Sequence, residues 1–141
     1  MLAQTPVPML IPMLVPITAV YGALLALFLA ILTVPVIKLR RGLRVGLGDG
    51  GQRSLMQAMR AHGNAAECIP MFVVLLAVYE INHAPAMALH IFGVVFILSR
   101  LAHASGLYQS SGASSGRVVG MIGTLTALVA LAMANVVQVI R

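Results

Sequence analysis

Four apolar segments decide most of what this chain can become, because each is longer than the roughly 20 residues that span the hydrocarbon core of a bilayer. They run from about Leu10 to Ile37, Leu55 to Tyr79, Ala84 to Leu107 and Val118 to Ile140. In lipid every backbone N–H and C=O needs a protein partner, and open strands would leave such groups unpaired, so the segments are read as helices. The expected fold class is an all-α integral membrane protein: one domain over residues 1–141, a four transmembrane helix bundle with helices at about 10–37, 54–80, 84–107 and 117–140. Composition agrees. Only 9% of the residues are charged and mean hydropathy is +1.01, against about 25% charged residues in a soluble domain.

The N-terminus has no basic region and the apolar stretch behind it is long enough to span, so it reads as a retained first helix and not as a signal peptide. Pro8, Pro12 and Pro16 recur every four residues and predict a bent or extended start; Pro35 predicts a kink near the far end. Charge placement sets the topology. Lys38, Arg40, Arg41, Arg44, Arg53, Arg60, Arg100 and Arg117 fall on one side, and among the nine basic residues only Arg141 falls on the other. Basic residues gather on the cytoplasmic side, so both termini are expected outside, in an inner or plasma membrane. The net charge of +6 and a pI near 10.8 follow from that asymmetry. No nucleic-acid-binding motif accompanies them, and no nucleic-acid partner is expected.

One face of the second helix is out of keeping with lipid. Arg60, Asn64 and Glu67 are spaced four and three apart, which puts them within roughly 40° of each other around a helix. An ionisable residue at membrane depth costs about 2.5–3.5 kcal/mol and persists where it meets a partner, a wet cavity or a ligand. On the third helix Arg100 and His103 are neighbours, three apart. A lone arginine near a helix end can snorkel to the headgroups. Arg60, Arg100 and Arg117 at similar depth would repel one another, however, unless something anionic lay between them. Glu67 supplies one negative charge, and a bound anion is the natural source of more. Five glycines between Gly42 and Gly51 exclude a regular helix there, each costing about 1 kcal/mol. That stretch reads as a flexible turn, or as backbone N–H groups that cradle an anion beside arginines. It matches neither a Walker loop nor a dinucleotide fingerprint. The single cysteine, Cys68, excludes an internal disulfide and reads as a packing residue. No His or carboxylate cluster has metal-ligand spacing, so no metal is expected.

The strings Arg44-Val-x-x-Gly48-Asp49-Gly50-Gly51, Arg60-Ala61-His62-Gly63-Asn64-x-x-Glu67 and Arg100-x-x-His103-x-x-Gly106 resemble the membrane-associated proteins in eicosanoid and glutathione metabolism, the MAPEG superfamily. The resemblance runs from about Arg40 to the end of the fourth helix and is closest to the short bacterial branch. It implies a homotrimer of four-helix subunits. Glutathione, the co-substrate, would lie between neighbouring subunits in the cytoplasmic half of the bilayer. By motif, Arg60, Asn64 and Glu67 match the second-helix ligands, His62 matches a ligand position of the microsomal transferases, and Arg100 matches the third-helix arginine. Arg117, across a one-residue gap, matches the catalytic arginine that stabilises the glutathione thiolate. Tyr108 stands for a family tyrosine if the gap falls before it; if the gap falls later, Leu107 takes that position. Arg40 lies near the arginine that family members use at the end of the first helix. Cys68 stands where the leukotriene synthase branch has a tyrosine, a departure from that branch's pattern.

The chemistry of this match is coherent. Arginine forks suit the two carboxylates of glutathione, a glutamate suits its ammonium, and asparagine both donates and accepts. A guanidinium beside the sulfur favours the thiolate, the attacking form. A lipophilic second substrate would enter from the lipid bilayer. The expected activity is that of a membrane glutathione transferase or glutathione-dependent peroxidase. His62 stands about 160° from the stripe, and a packing role fits it equally well. Two other classes stay open: a small proton-coupled efflux transporter using Glu67, and a catalytically silent membrane subunit whose arginines serve topology alone.

Overall fold

The computed structural model describes residues 14–109, 112 and 114–140. The described chain forms four helices: α1 (Pro16–Leu43), α2 (Arg53–Ile81), α3 (Ala86–Gln109) and α4 (Ser115–Ile140). All four are long and apolar enough to cross a membrane. Only 17 to 33% of each apolar span is buried in the bundle. The remaining apolar surface faces outward, as a lipid solvent requires.

Helix α1 differs most from its expected bounds. Residues 10–13, Pro8 and Pro12 lie outside the described residues, and Pro16 occupies the first helical position, where its missing N–H costs nothing. At the other end the helix runs past Ile37 and through Gly42 to Leu43. Lysine and arginine are good helix formers, and Arg40 and Arg41 in the last turn complement the negative end of the helix dipole. The helix stops at Arg44, whose φ of 54° is left-handed; Val45 N–H donates to the Arg40 carbonyl at 3.1 Å to close the end.

Helix α2 is the centre of the bundle. Leu55, Ala58, Ala61, Ala65, Ile69, Phe72, Leu76 and Tyr79 are buried along it, a period of three to four that makes one continuous apolar stripe. Phe72 stacks on Phe96 of α3 with ring centroids 3.8 Å apart. Helices α3 and α4 meet along a seam of small residues. A Cβ at Gly106 would lie 2.5 Å from the Arg117 nitrogen, and one at Gly120 would collide with backbone atoms of His103 and Ser99. Such close backbone approach is how membrane helices gain packing without a hydrophobic drive. It fixes Arg117 beside His103.

The opposite end of the bundle is tied by polar contacts. Glu80 lies in the last turn of α2. Its two carboxylate oxygens accept from the N–H groups of Ile17 and Thr18 at 2.8 and 2.7 Å. A carboxylate at a helix N-terminus meets both unpaired donors and the positive end of the dipole. Tyr21 and His90 of α3 are joined through the tyrosine hydroxyl and Nδ1 at 3.1 Å.

Candidate functional site

At the end that carries the 44–52 loop, a cavity of about 820 Å³ opens between α2, α3 and α4. That volume is within the roughly 300–1,000 Å³ range of small-molecule clefts. Its floor is the polar stripe of α2. Arg60, Asn64 and Glu67 line it together, with Gln57 one turn earlier. His103 and Leu107 of α3 and Arg117 and Met121 of α4 form the facing wall, and Gly48 and Asp49 of the loop form the rim.

The seam between α3 and α4 sets the far wall. His103 is buried, with Nδ1 3.1 Å from the Arg117 carbonyl oxygen. The Ser114 hydroxyl precedes α4, donates to the Gly106 carbonyl at 2.9 Å and accepts from the Arg117 N–H at 3.4 Å. The Arg117 guanidinium donates through Nη1 to the Gly112 carbonyl at 2.6 Å, at the mouth of the cavity. Gln57 Nε2 donates to the Leu107 carbonyl at 2.9 Å and clamps α2 to α3.

Of the eight residues expected at the site, Arg60, Asn64, Glu67 and Arg117 share the cavity. Arg100 stands behind it. It is only 2% exposed, and its Nη1 donates to Asn64 Oδ1 at 2.6 Å. A guanidinium has no acceptor, so the amide must present its oxygen to Arg100 and keep its NH₂ free to donate. His62, Tyr108 and Arg40 do not line the cavity. Tyr108 is 43% exposed, while Leu107 is 6% exposed and lines the wall, so Leu107 takes the inward position. Arg40 turns back on the loop, donating through Nη1 to the carbonyls of Val45 and Gly46 and through Nη2 to the sulfur of Met59. It braces the rim that carries Gly48 and Asp49.

Sequence reasoning passed over Gln57, Asp49 and His103 as lining residues. Gln57 is three residues before Arg60, and His103 three after Arg100, so extending each stripe by one turn finds them. Asp49 carries no such signal, because the loop's path places it. It changes the electrostatics: two carboxylates, Asp49 and Glu67, face two guanidiniums, Arg60 and Arg117, with Arg100 behind Asn64. The site is dipolar with a positive excess of one, more balanced than the arginines alone implied.

A family model described as the MAPEG family matches residues 18–137. Two relatives, both named inner membrane protein YecN, come from Escherichia coli strain K12 and Escherichia coli O6:H1. Each is 39% identical to this chain over 118 residues, covering 84% of this chain and 88% of the relative.

Proposed function

This chain belongs to the MAPEG family, and from that premise we propose that it is an inner-membrane glutathione transferase or glutathione-dependent peroxidase acting on lipophilic electrophiles. The carrying observation is the charge pattern of the cavity. Glutathione has two carboxylates and one ammonium, a net charge of −1 before the thiol ionises. Three guanidiniums and two carboxylates at the site complement both its sign and its dipolar character. Arg60 and Arg117 would take carboxylate or thiolate groups, and Glu67 or Asp49 the ammonium. The free NH₂ of Asn64 would donate to a peptide carbonyl.

An unperturbed thiol has a pKa of about 8.5 and is mostly protonated near neutral pH. Arg117 beside the sulfur would favour the thiolate, each unit of depression requiring about 1.4 kcal/mol. Conjugation then forms one S–C bond while the electrophile's leaving group departs with its electron pair. Met56, Met59 and Met121 give the cavity an apolar, adaptable wall for that second substrate. The cavity stands partly open on the outside of the bundle, and in a homotrimer a neighbouring copy would close it. The relatives' name supports an inner membrane, and the basic residues at the loop-bearing end support a cytoplasm-facing site. Arg60 and Arg117 in the same cavity as Glu67 disfavour the reading as an exporter of cationic drugs.

Glutathione binding to the purified protein is the test, with Arg60→Ala and Glu67→Gln beside the parent. Binding that both substitutions weaken supports the reading. No binding, or binding indifferent to both, overturns it.

A further inference from the structure

The 44–52 loop holds one large apolar side chain where little of the described chain covers it: Leu47 is 92% exposed. The exposure is built in, because the loop is tied on both sides of that residue. Arg40 donates through Nη1 to the Val45 and Gly46 carbonyls and through Nη2 to the sulfur of Met59. On the other side Asp49 Oδ1 accepts from the Gly51 N–H at 3.0 Å, and the Gln52 N–H donates to the Asp49 carbonyl at 2.9 Å. Gly50, at a φ of 58°, folds so close over Val45 that a Cβ there would lie 2.7 Å from Cγ2. The same contacts fix the level of the loop. Met59 is six residues beyond the start of α2 at Arg53, about 9 Å along the axis. Sharing a guanidinium with Met59, the carbonyls of Val45 and Gly46 lie back against the helix ends and do not stand off in water.

We propose that this loop is a membrane-surface anchor: Leu47 seats at the boundary between headgroups and acyl chains, while Lys38, Arg41 and Arg44 hold the phosphates of anionic phospholipids. A single exposed leucine on a soluble surface carries no message. Here the neighbouring charge names the partner. Lys38, Arg41 and Arg44 are exposed at the same end of α1, and their side chains have no partner among the described residues. Lys38 and Arg41, three apart, are neighbours on one face of the helix. Each basic residue near an anionic surface raises affinity by about fivefold, and an aliphatic side chain that enters the interface adds a contribution that salt does not screen. A second copy of this chain is a poor occupant for the patch. The chain has three acidic residues: Asp49 and Glu67 line the polar cavity, and Glu80 caps α1 at the far end. The anchor does not rest on glutathione binding. It bears on it all the same, because Gly48 and Asp49, the next two residues, form the rim of the polar cavity.

The test uses the full chain reconstituted in bilayers of phosphatidylcholine and phosphatidylglycerol. The chain has no tryptophan, so Leu47→Trp adds a single fluorophore at an exposed position. Its emission is expected to be blue-shifted from that of free tryptophan, shielded from acrylamide, and quenched by phospholipid spin-labelled high on the acyl chain. Spin-labelled phosphatidylglycerol should quench more than spin-labelled phosphatidylcholine. Lys38→Gln, Arg41→Gln and Arg44→Gln should reduce that preference by about fivefold for each charge lost, and about 1 M salt, with a Debye length of about 3 Å, should remove most of it. Water-like emission open to acrylamide overturns the proposal, by placing the loop in the aqueous phase. Blue-shifted emission that neither lipid label quenches overturns it, by assigning Leu47 to a neighbouring subunit or a soluble partner. Equal quenching by the two lipids, or a preference indifferent to the glutamines and to salt, overturns it by removing the basic residues from the contact. Tryptophan itself favours the interface, so Leu47→Cys in a Cys68→Ser background, carrying a nitroxide, is measured beside it. Collision of that nitroxide with oxygen in the lipid, and not with an aqueous nickel chelate, is expected; the reverse overturns the proposal. Glutathione binding, measured on the same samples, stands or falls separately.

Discussion

Replacing Asn64 by leucine keeps the branching and heavy-atom count of the side chain and removes the oxygen that Arg100 Nη1 reaches at 2.6 Å. Arg100 is 2% exposed, and its Nε and Nη2 have no other partner among the described residues, so the substitution leaves the guanidinium buried and unbonded. A hydrogen bond to a charged group contributes about 1.5–3 kcal/mol, and breaking a buried charged pair costs about 3–5 kcal/mol. The lower range applies, because Asn64 is neutral; Asn64→Leu should lose about 2–3 kcal/mol. The double variant is a sharper test. Adding Arg100→Met removes the stranded charge and leaves an apolar side chain, and exchanging a buried polar set for apolar groups is often neutral or stabilising by about 1–4 kcal/mol. The double variant should therefore be more stable than Asn64→Leu alone and close to the parent. Titration of the detergent-solubilised protein with a denaturing detergent, followed by circular dichroism, measures all three. Parental stability of Asn64→Leu, or a double variant no better than the single one, would refute the account of Arg100. Refolding should not restore glutathione binding in the double variant.

Four more outcomes follow from the geometry. Gly120→Ala sets a methyl group against backbone of α3, which cannot yield as a side chain can, and should cost about 1–3 kcal/mol in the same titration. Gly42→Ala, with open space around it in α1, should instead gain roughly 0.5–1 kcal/mol. Glu80→Gln keeps one acceptor for α1 but turns an amide donor toward the other N–H group and should cost about 1–2 kcal/mol, read as a lower thermal midpoint. Arg117→Ala should slow conjugation by about tenfold for each unit of thiol pKa that the arginine supplies and move the pH–rate profile up toward about 8.5; an unmoved profile would remove Arg117 from that role.

Much of the architecture was legible because lipid leaves few options: four apolar runs longer than a bilayer is thick must be helices. The end of α1 was not, because hydropathy falls at Lys38 while the backbone continues to Leu43 on helix propensity and dipole. The second-helix stripe was legible for a local reason, since spacings of four and three are fixed by helix geometry whatever the rest of the chain does. What that stripe meets is tertiary. Nothing in the spacing of Asn64 says that Arg100 takes its oxygen, or that the loop braced by Arg40 brings Asp49 to the rim. The choice between Leu107 and Tyr108 turned on how α3 is rotated against α4, which the glycines of the seam decide.

The bond from Glu80 to the start of α1 joins residues 63 positions apart, and so has a bearing on biogenesis. As the chain leaves the ribosome the first helix can enter the bilayer, but its leading turn gains this anchor only after the second helix has crossed completely. The α1–α2 hairpin thus holds both partners of its latch without any part of α3. Tyr21 meets His90 only later, a second bolt thrown once the third span arrives.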